Sequence, residues 1–231
     1  MNIVLENVSK RFADQEALRG IDLAVETGTR LALVGPNGSG KSTLLRILMG
    51  LLSAEGKVLL DDRDPFRNRQ AIAHRLAYVP QTAPQLGASV RDVVRAVADL
   101  RGIDVPHIAA QADRLGLDLE SNREKAFRSL SGGMKQKLLI ALAFSSEASL
   151  FILDEPTASL DTSARDTFLA MLDEASKNAS VLLCSHRPDD VQKLVSRMVE
   201  LGEGKVVRDV TVLEGGRAPR ECPRAAEVGH G

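Results

Sequence analysis

The chain has 231 residues, 44% hydrophobic and 26% charged, with 30 Lys and Arg set against 31 Asp and Glu. A net charge of −1 excludes a bulk electrostatic pull toward nucleic acid or anionic lipid, and no apolar run approaches the roughly 20 residues of a membrane span. The two cysteines, Cys184 and Cys222, make no metal-binding spacing, and a reducing compartment disfavours a disulfide between them.

Ile3, Leu5 and Val8, then Leu18, Ile21, Leu23 and Val25, lie at strand spacing and predict two antiparallel strands over 2–9 and 17–26. Between them Phe12 sits in a polar loop, placed either to plug a core or to stack on an adenine ring. Leu31, Leu33 and Val34 predict a strand covered on both faces. Gly35, Pro36, Asn37, Gly38, Ser39 and Gly40 cannot continue that strand and form a loop. Lys41, Ser42 and Thr43 then open a helix, with Leu44, Leu45, Ile47 and Leu48 at helical spacing. The stretch is a complete G-x-x-x-x-G-K-[ST] match. Glycines let successive backbone N–H groups curl inward, and the following helix adds its positive end, which is what a triphosphate requires. Lys41 would reach the β- and γ-phosphates, and the Ser42 hydroxyl would face Mg²⁺.

Further on, 56–60 predicts a short strand, 67–75 a short helix, and Ala77–Val79 a buried strand that ends at Pro80-Gln81. Gln81 alone would read as a solvated loop residue. Val90, Val93, Val94, Val97 and Leu100, followed by 108–115, repeat at helical spacing, so 88–128 reads as a helical insertion in an alternating β/α chain. Ser131 is a natural N-cap for the helix that follows. Gly132 and Gly133 leave its first N–H groups open to an anion, a second phosphate-type site in one chain.

Leu150–Leu153 predicts a buried strand, and Asp154 and Glu155 emerge at its C-terminal end, where open α/β sheets bind ligands. Asp154 suits a hold on Mg²⁺, and Glu155 suits a general base acting on a water. Asp161 is placed to N-cap the next helix. Ser180–Cys184 predicts another buried strand, with His186 at its end placed for a γ-phosphate contact. Residues 195–201 and 204–210 predict closing strands, and 214–231 has little to bury and reads as a disordered tail.

The order of these pieces resembles the nucleotide-binding subunit of ABC transporters, from residue 2 to about 213. Residues 35–43 look like the Walker A loop, Gln81 like the Q-loop glutamine, and 130–134 like the LSGGQ signature. Residues 150–155 look like Walker B with its catalytic glutamate, 159–161 like the D-loop, and His186 like the switch histidine. Phe12 falls where the family has its stacking aromatic. Two departures are Met134 in place of the signature Gln and Phe12 in place of the commoner Tyr.

The resemblance implies an α/β fold: a P-loop NTPase core with an N-terminal antiparallel β subdomain and an inserted α-helical subdomain. It implies ATP and Mg²⁺ as ligands. Glu155, His186 and Gln81 would serve catalysis. Phe12, residues 35–43, Ser131, Gly132, Gly133 and Asp161 would hold the nucleotide, and Ser42, Gln81 and Asp154 the metal. A second copy, or a paralogous subunit, would pair head to tail with ATP at the interface. Separate transmembrane permease subunits would tether the chain to the cytoplasmic face of the cell membrane, with 82–90 in the part that grips them, and nucleic acid would not be a partner. The SGGMKQK wording, the short insertion and Cys184-Ser185-His186 resemble the export branch. An importer subunit is the alternative. A soluble, non-transport relative fits less well, because those carry two cassettes or long heptad insertions. A plain P-loop kinase or small GTPase would have no use for 130–134 or Glu155.

Overall fold

Ile3, Leu5 and Val8 cannot all face one side of an unbroken strand, because the last step is three residues rather than two. Strand β1 (Ile3–Phe12) resolves this with a bulge. Asn7 takes a left-handed backbone, φ 49°, and its N–H donates to Asp22 Oδ1 at 2.7 Å. All three apolar side chains are then buried. Phe12 is the last residue of β1 and pairs with Gln15, so the expected polar loop shrinks to Ala13-Asp14.

The computed structural model describes residues 1–184 and 195–212, with the backbone of Arg220–Glu221. It divides into two compact units: Met1–Leu76 with Ser149–Ile152 and Asn178–Gly231, and Ala77–Ala148 with Leu153–Lys177.

In the first unit, β1 lies between β2 (Gln15–Val25) and β4 (Glu55–Leu60), antiparallel to both. A second sheet is built on β3 (Arg30–Val34), flanked in parallel by β7 (Ser180–Cys184) and β8 (Arg197–Gly202). Strand β9 (Lys205–Thr211) returns antiparallel to β8, and β6 (Leu150–Asp154) neighbours β7. Leu31, Ala32 and Leu33 are at most 1% exposed, as a central parallel strand requires. Helix α1 (Lys41–Leu48) buries Leu44, Leu45, Ile47 and Leu48 in the same core. Helix α2 (Arg69–Ala73) is shorter than the sequence pattern suggests. Within the tail, Arg220–Glu221 forms a two-residue strand, β10, antiparallel to β9. The rest of 213–231, with Cys222, lies outside the described residues.

The second unit receives the chain from β5 (Leu76–Val79). It carries α3 (Val90–Arg101), α4 (Val105–Arg114), α5 (Gly132–Phe144) and α6 (Thr162–Ala175). Ser89 caps α3 by accepting from the Asp92 N–H at 3.1 Å. Arg114 forks onto Glu174 at 3.0 and 2.8 Å, joining α4 to α6. Phe144 meets Phe168 edge-on, with ring centroids 5.8 Å apart, which locks α5 to α6.

After β4 the chain turns through Asp61 and Asp62, both left-handed at φ 45° and 62°, with Leu60 and Arg63 exchanging two backbone hydrogen bonds. Such a turn favours glycine. Asp61 is committed, accepting from the Asn2 N–H at 2.8 Å and pairing with Arg75 at 2.5 Å. Burial raises its pKa, but the Asn2 and Arg75 contacts outweigh this and hold it below the usual carboxylate value. Its contribution therefore persists through neutral pH and fades only as pH falls through that lowered value. Asp62 is exposed. Asp62→Gly should raise the unfolding free energy in urea by about 0.5 kcal/mol, whereas Asp61→Gly should lower it. An unchanged or reduced midpoint for Asp62→Gly would refute the strain assigned to the turn.

Candidate nucleotide site

The loop that follows β3 is shaped by what surrounds it. Gly35 has φ 140°, and a Cβ built there would stand 2.2 Å from the Leu201 carbonyl oxygen of β8. Gly40 has φ 104°, and its Cβ would stand 2.6 Å from the Ala17 carbonyl oxygen of β2 and 2.7 Å from Leu18. No side chain fits at either position. The β8–β9 hairpin completes the support: the Gly204 N–H donates to the Ser39 carbonyl at 3.1 Å, and the Gly204 carbonyl accepts from the Arg19 N–H at 2.8 Å. Ser39 is buried, while Pro36, Asn37 and Gly38 are exposed.

Gly40 is also the N-cap of α1, so no side chain there satisfies the first-turn N–H groups. Those donors and the helix dipole make an anion site. The Lys41 ammonium donates to the carbonyls of Gly35 at 2.7 Å and Pro36 at 2.9 Å, which holds it over the loop. Ser42 is exposed and Thr43 half-buried on the first turn. At the end of β1, Phe12 is 44% exposed, with the Lys10 ammonium 5.5 Å from its ring centroid.

The second unit holds the remaining described candidates. Gln81 is exposed just beyond β5. Ser131 caps α5, its Oγ accepting from the Met134 N–H at 3.2 Å. A Cβ on Gly132 would meet nothing within 4 Å, so the head of α5 is open there. Asp154 ends β6, half-buried, and Glu155 follows with a left-handed backbone at φ 49°, which turns the chain sharply at the strand end. Asp161 caps α6 through the Ala164 N–H at 2.8 Å and pairs with Lys137 at 2.8 Å. Both its oxygens are thus engaged within its own chain, and the Lys137 hydrogen bond holds its carboxyl below the usual range. His186 lies outside the described residues. Pattern reading misses Ala17, Leu201 and Gly204, which act through backbone atoms. It also misses Gln136 and Lys137, whose signal was their place on the helix face that carries Gly133.

A family profile described as ABC transporter matches residues 18–158. The chain belongs to the ABC transporter family. It is an ATP-binding, ATP-hydrolysing cassette of that family. It is 31% identical over 227 residues to the energy-coupling factor transporter ATP-binding protein EcfA2 of Clostridium tetani, covering 90% of this chain and 78% of that protein. It is 31% identical to the daunorubicin resistance ATP-binding protein DrrA3 of Streptomyces coeruleorubidus, covering 92% and 69%. A solved structure described as an ATP-binding subunit of an ABC transporter aligns with a TM-score of 0.83 at 26% identity, covering 92% of this chain and 90% of that one. Among the described residues of the cassette, no helix is long and apolar enough to cross a membrane.

Gly40→Ala should abolish nucleotide binding by the cassette and lower its melting temperature, because the clash is with backbone. Lys41→Met should weaken binding of a fluorescent ATP analogue at least about tenfold while leaving the melting temperature unchanged. An intact affinity in Lys41→Met would remove the ammonium from the site.

Proposed function

We propose that this cassette powers export of a substrate through separate membrane-spanning subunits, by cycles of ATP-driven pairing and hydrolysis-driven release. The observation that carries this is the presence of two anion sites of different build. One is the glycine loop at the head of α1, and the other is the open, Ser131-capped head of α5. A single triphosphate on the glycine loop has its donors there, so the second site is best used by another copy. Two copies, or one and a paralogue, would pair head to tail, each ATP lying between residues 35–43 of one and Ser131–Gly133 of the other. ATP then adds contacts only in the paired state and shifts the equilibrium toward it.

Phe12 would offer a ring face to the base, and Lys41 would neutralise the phosphates. Ser42, Gln81 and Asp154 are a hydroxyl, an amide and a carboxylate, an all-oxygen donor set that suits Mg²⁺. When bound, that ion supplies charge neutralisation at the phosphates. Glu155 takes the proton of the water whose oxygen attacks the γ-phosphorus, and the bond to the bridging oxygen breaks to leave ADP and phosphate. His186 would contact the γ-phosphate, and Asp161, with its oxygens on Ala164 and Lys137, would act by shaping the D-loop segment.

The export direction is supported by the SGGMKQK wording and the short helical region. Relatives of similar identity are named for an energy-coupling factor transporter and for daunorubicin resistance, so their names do not separate the two directions. Transport into inverted vesicles carrying the permease, driven by external ATP, would support export. Uptake only in right-side-out vesicles loaded with ATP would reverse the reading.

Glu155→Gln should bind ATP normally, lose about a thousandfold or more in turnover, and accumulate as an ATP-bound pair on size-exclusion chromatography. Full turnover would show that Glu155 is not the base. Gly132→Asp places a carboxylate where a phosphate should sit. It should prevent ATP-dependent pairing while leaving single-chain nucleotide affinity within about twofold. Equal loss of both would mean that the head of α5 does not act across an interface.

A further inference from the structure

Three residues on one face of α5 meet the segment that follows Glu155. Gly133, Gln136 and Lys137 stand at i, i+3 and i+4 and share a helix face. A Cβ on Gly133 would lie 3.0 Å from the Ser159 carbonyl oxygen, so the backbones approach closely. The Gln136 amide donates from Nε2 to the Pro156 carbonyl at 3.1 Å, and the residue is 4% exposed. Lys137 Nζ lies 2.8 Å from Asp161 Oδ2, with the lysine side chain 14% exposed, while Asp161 Oδ1 caps α6. The segment 156–161 is thus tied to the helix at Pro156 and Asp161 and runs close against it at Ser159, and Glu155 is the residue that enters it.

We infer that Gln136 and Lys137 are positioning residues that make the head of α5 and the Glu155–Asp161 segment one mechanical piece. This rests on the proposed pairing, in which Ser131–Gly133 of one copy closes on ATP held by the other. The consequence is a link between the two ATP sites. Contact of Ser131–Gly133 with the partner's triphosphate is transmitted through Gln136 and Pro156 to Glu155, which acts on the ATP of its own chain. A buried amide suits this role. Its hydrogen bond has a fixed direction, and losing the donor leaves a carbonyl in need of a partner. The Lys137–Asp161 pair adds a second attachment, which stops the segment pivoting about Pro156.

The test uses the full chain with ATP as its probe, comparing the unmodified protein with Gln136→Met, Lys137→Met and Lys137→Arg. Gln136→Met keeps the side-chain volume and removes the donor. Turnover against ATP concentration gives kcat, KM and the Hill coefficient. Titration with a fluorescent ATP analogue at dilution gives single-chain affinity. Gln136→Met and Lys137→Met should each lower kcat about tenfold, as expected for a displaced reacting group. Both should bring the Hill coefficient toward about 1, with single-chain affinity within about twofold. Lys137→Arg should restore both kcat and cooperativity.

Unchanged kcat and cooperativity in Lys137→Met would overturn the inference. So would a parallel loss of single-chain affinity, or a failure of Lys137→Arg to rescue. If Gln136→Met does not fold, Lys137→Met decides alone, because a pair with an exposed carboxylate contributes little to stability. Failure of the underlying reading appears elsewhere: a Gly132→Asp chain that still pairs with ATP removes the trans contact, whatever Lys137 does.

Discussion

Everything assigned to this cassette depends on one backbone path. Between β3 and α1 the chain runs so close to the carbonyls of Leu201 and Ala17 that a Cβ at Gly35 or Gly40 would penetrate them. Glycine there is a consequence of the surrounding strands. The antiparallel strand β2 supplies Ala17, β8 supplies Leu201, and the β8–β9 hairpin supplies Gly204, so three separate stretches of sequence hold one loop in shape. The loop's path is set by the fold around it, which is the kind of support that lowers the ordering cost of binding. Lys41 is held over the loop by the carbonyls of Gly35 and Pro36.

The second unit solves a different problem by similar means. The anion site proposed for it is a helix head, which needs an accessible first turn and a cap that does not block it. Ser131 caps from the side through Met134, and Gly132 leaves the approach clear. Behind that head the helix is a core element, buried through Leu138, Ile140 and Ala141 and locked to α6 by Phe144 and Phe168. A helix head mounted on so firm a base can transmit a push from a ligand instead of absorbing it. The left-handed turn at Glu155 lies at the end of the segment that the same helix pins.

Much of this was legible in the sequence because the decisive features are local. The glycine pattern at 35–40, the Ser-Gly-Gly at 131–133 and the acidic end of β6 each announce their chemistry within a few residues. The extent of β1 was not legible, since Arg11 and Phe12 look like loop residues and only pairing with Glu16 and Gln15 makes them strand. The Asp61-Asp62 turn was missed because neither residue is the glycine that such a turn favours; Asp61 is retained by its bonds to Asn2 and Arg75. Gln136 and Lys137 read as polar residues of a helix. Their place on the face of Gly133 is a local signal, but the partners that give it meaning stand twenty and more positions away.

The central claim is that a working site takes its phosphate loop from one copy and its α5 head from another. Mixing two defective chains in a Glu155→Gln background tests it most directly. One chain carries Lys41→Met and the other Gly132→Asp, so only a mixed pair contains one complete site. With ATP, each chain alone should sediment as a single species, and the mixture should form a heterodimer. A mixture that sediments as the sum of its two inactive parts would contradict the account.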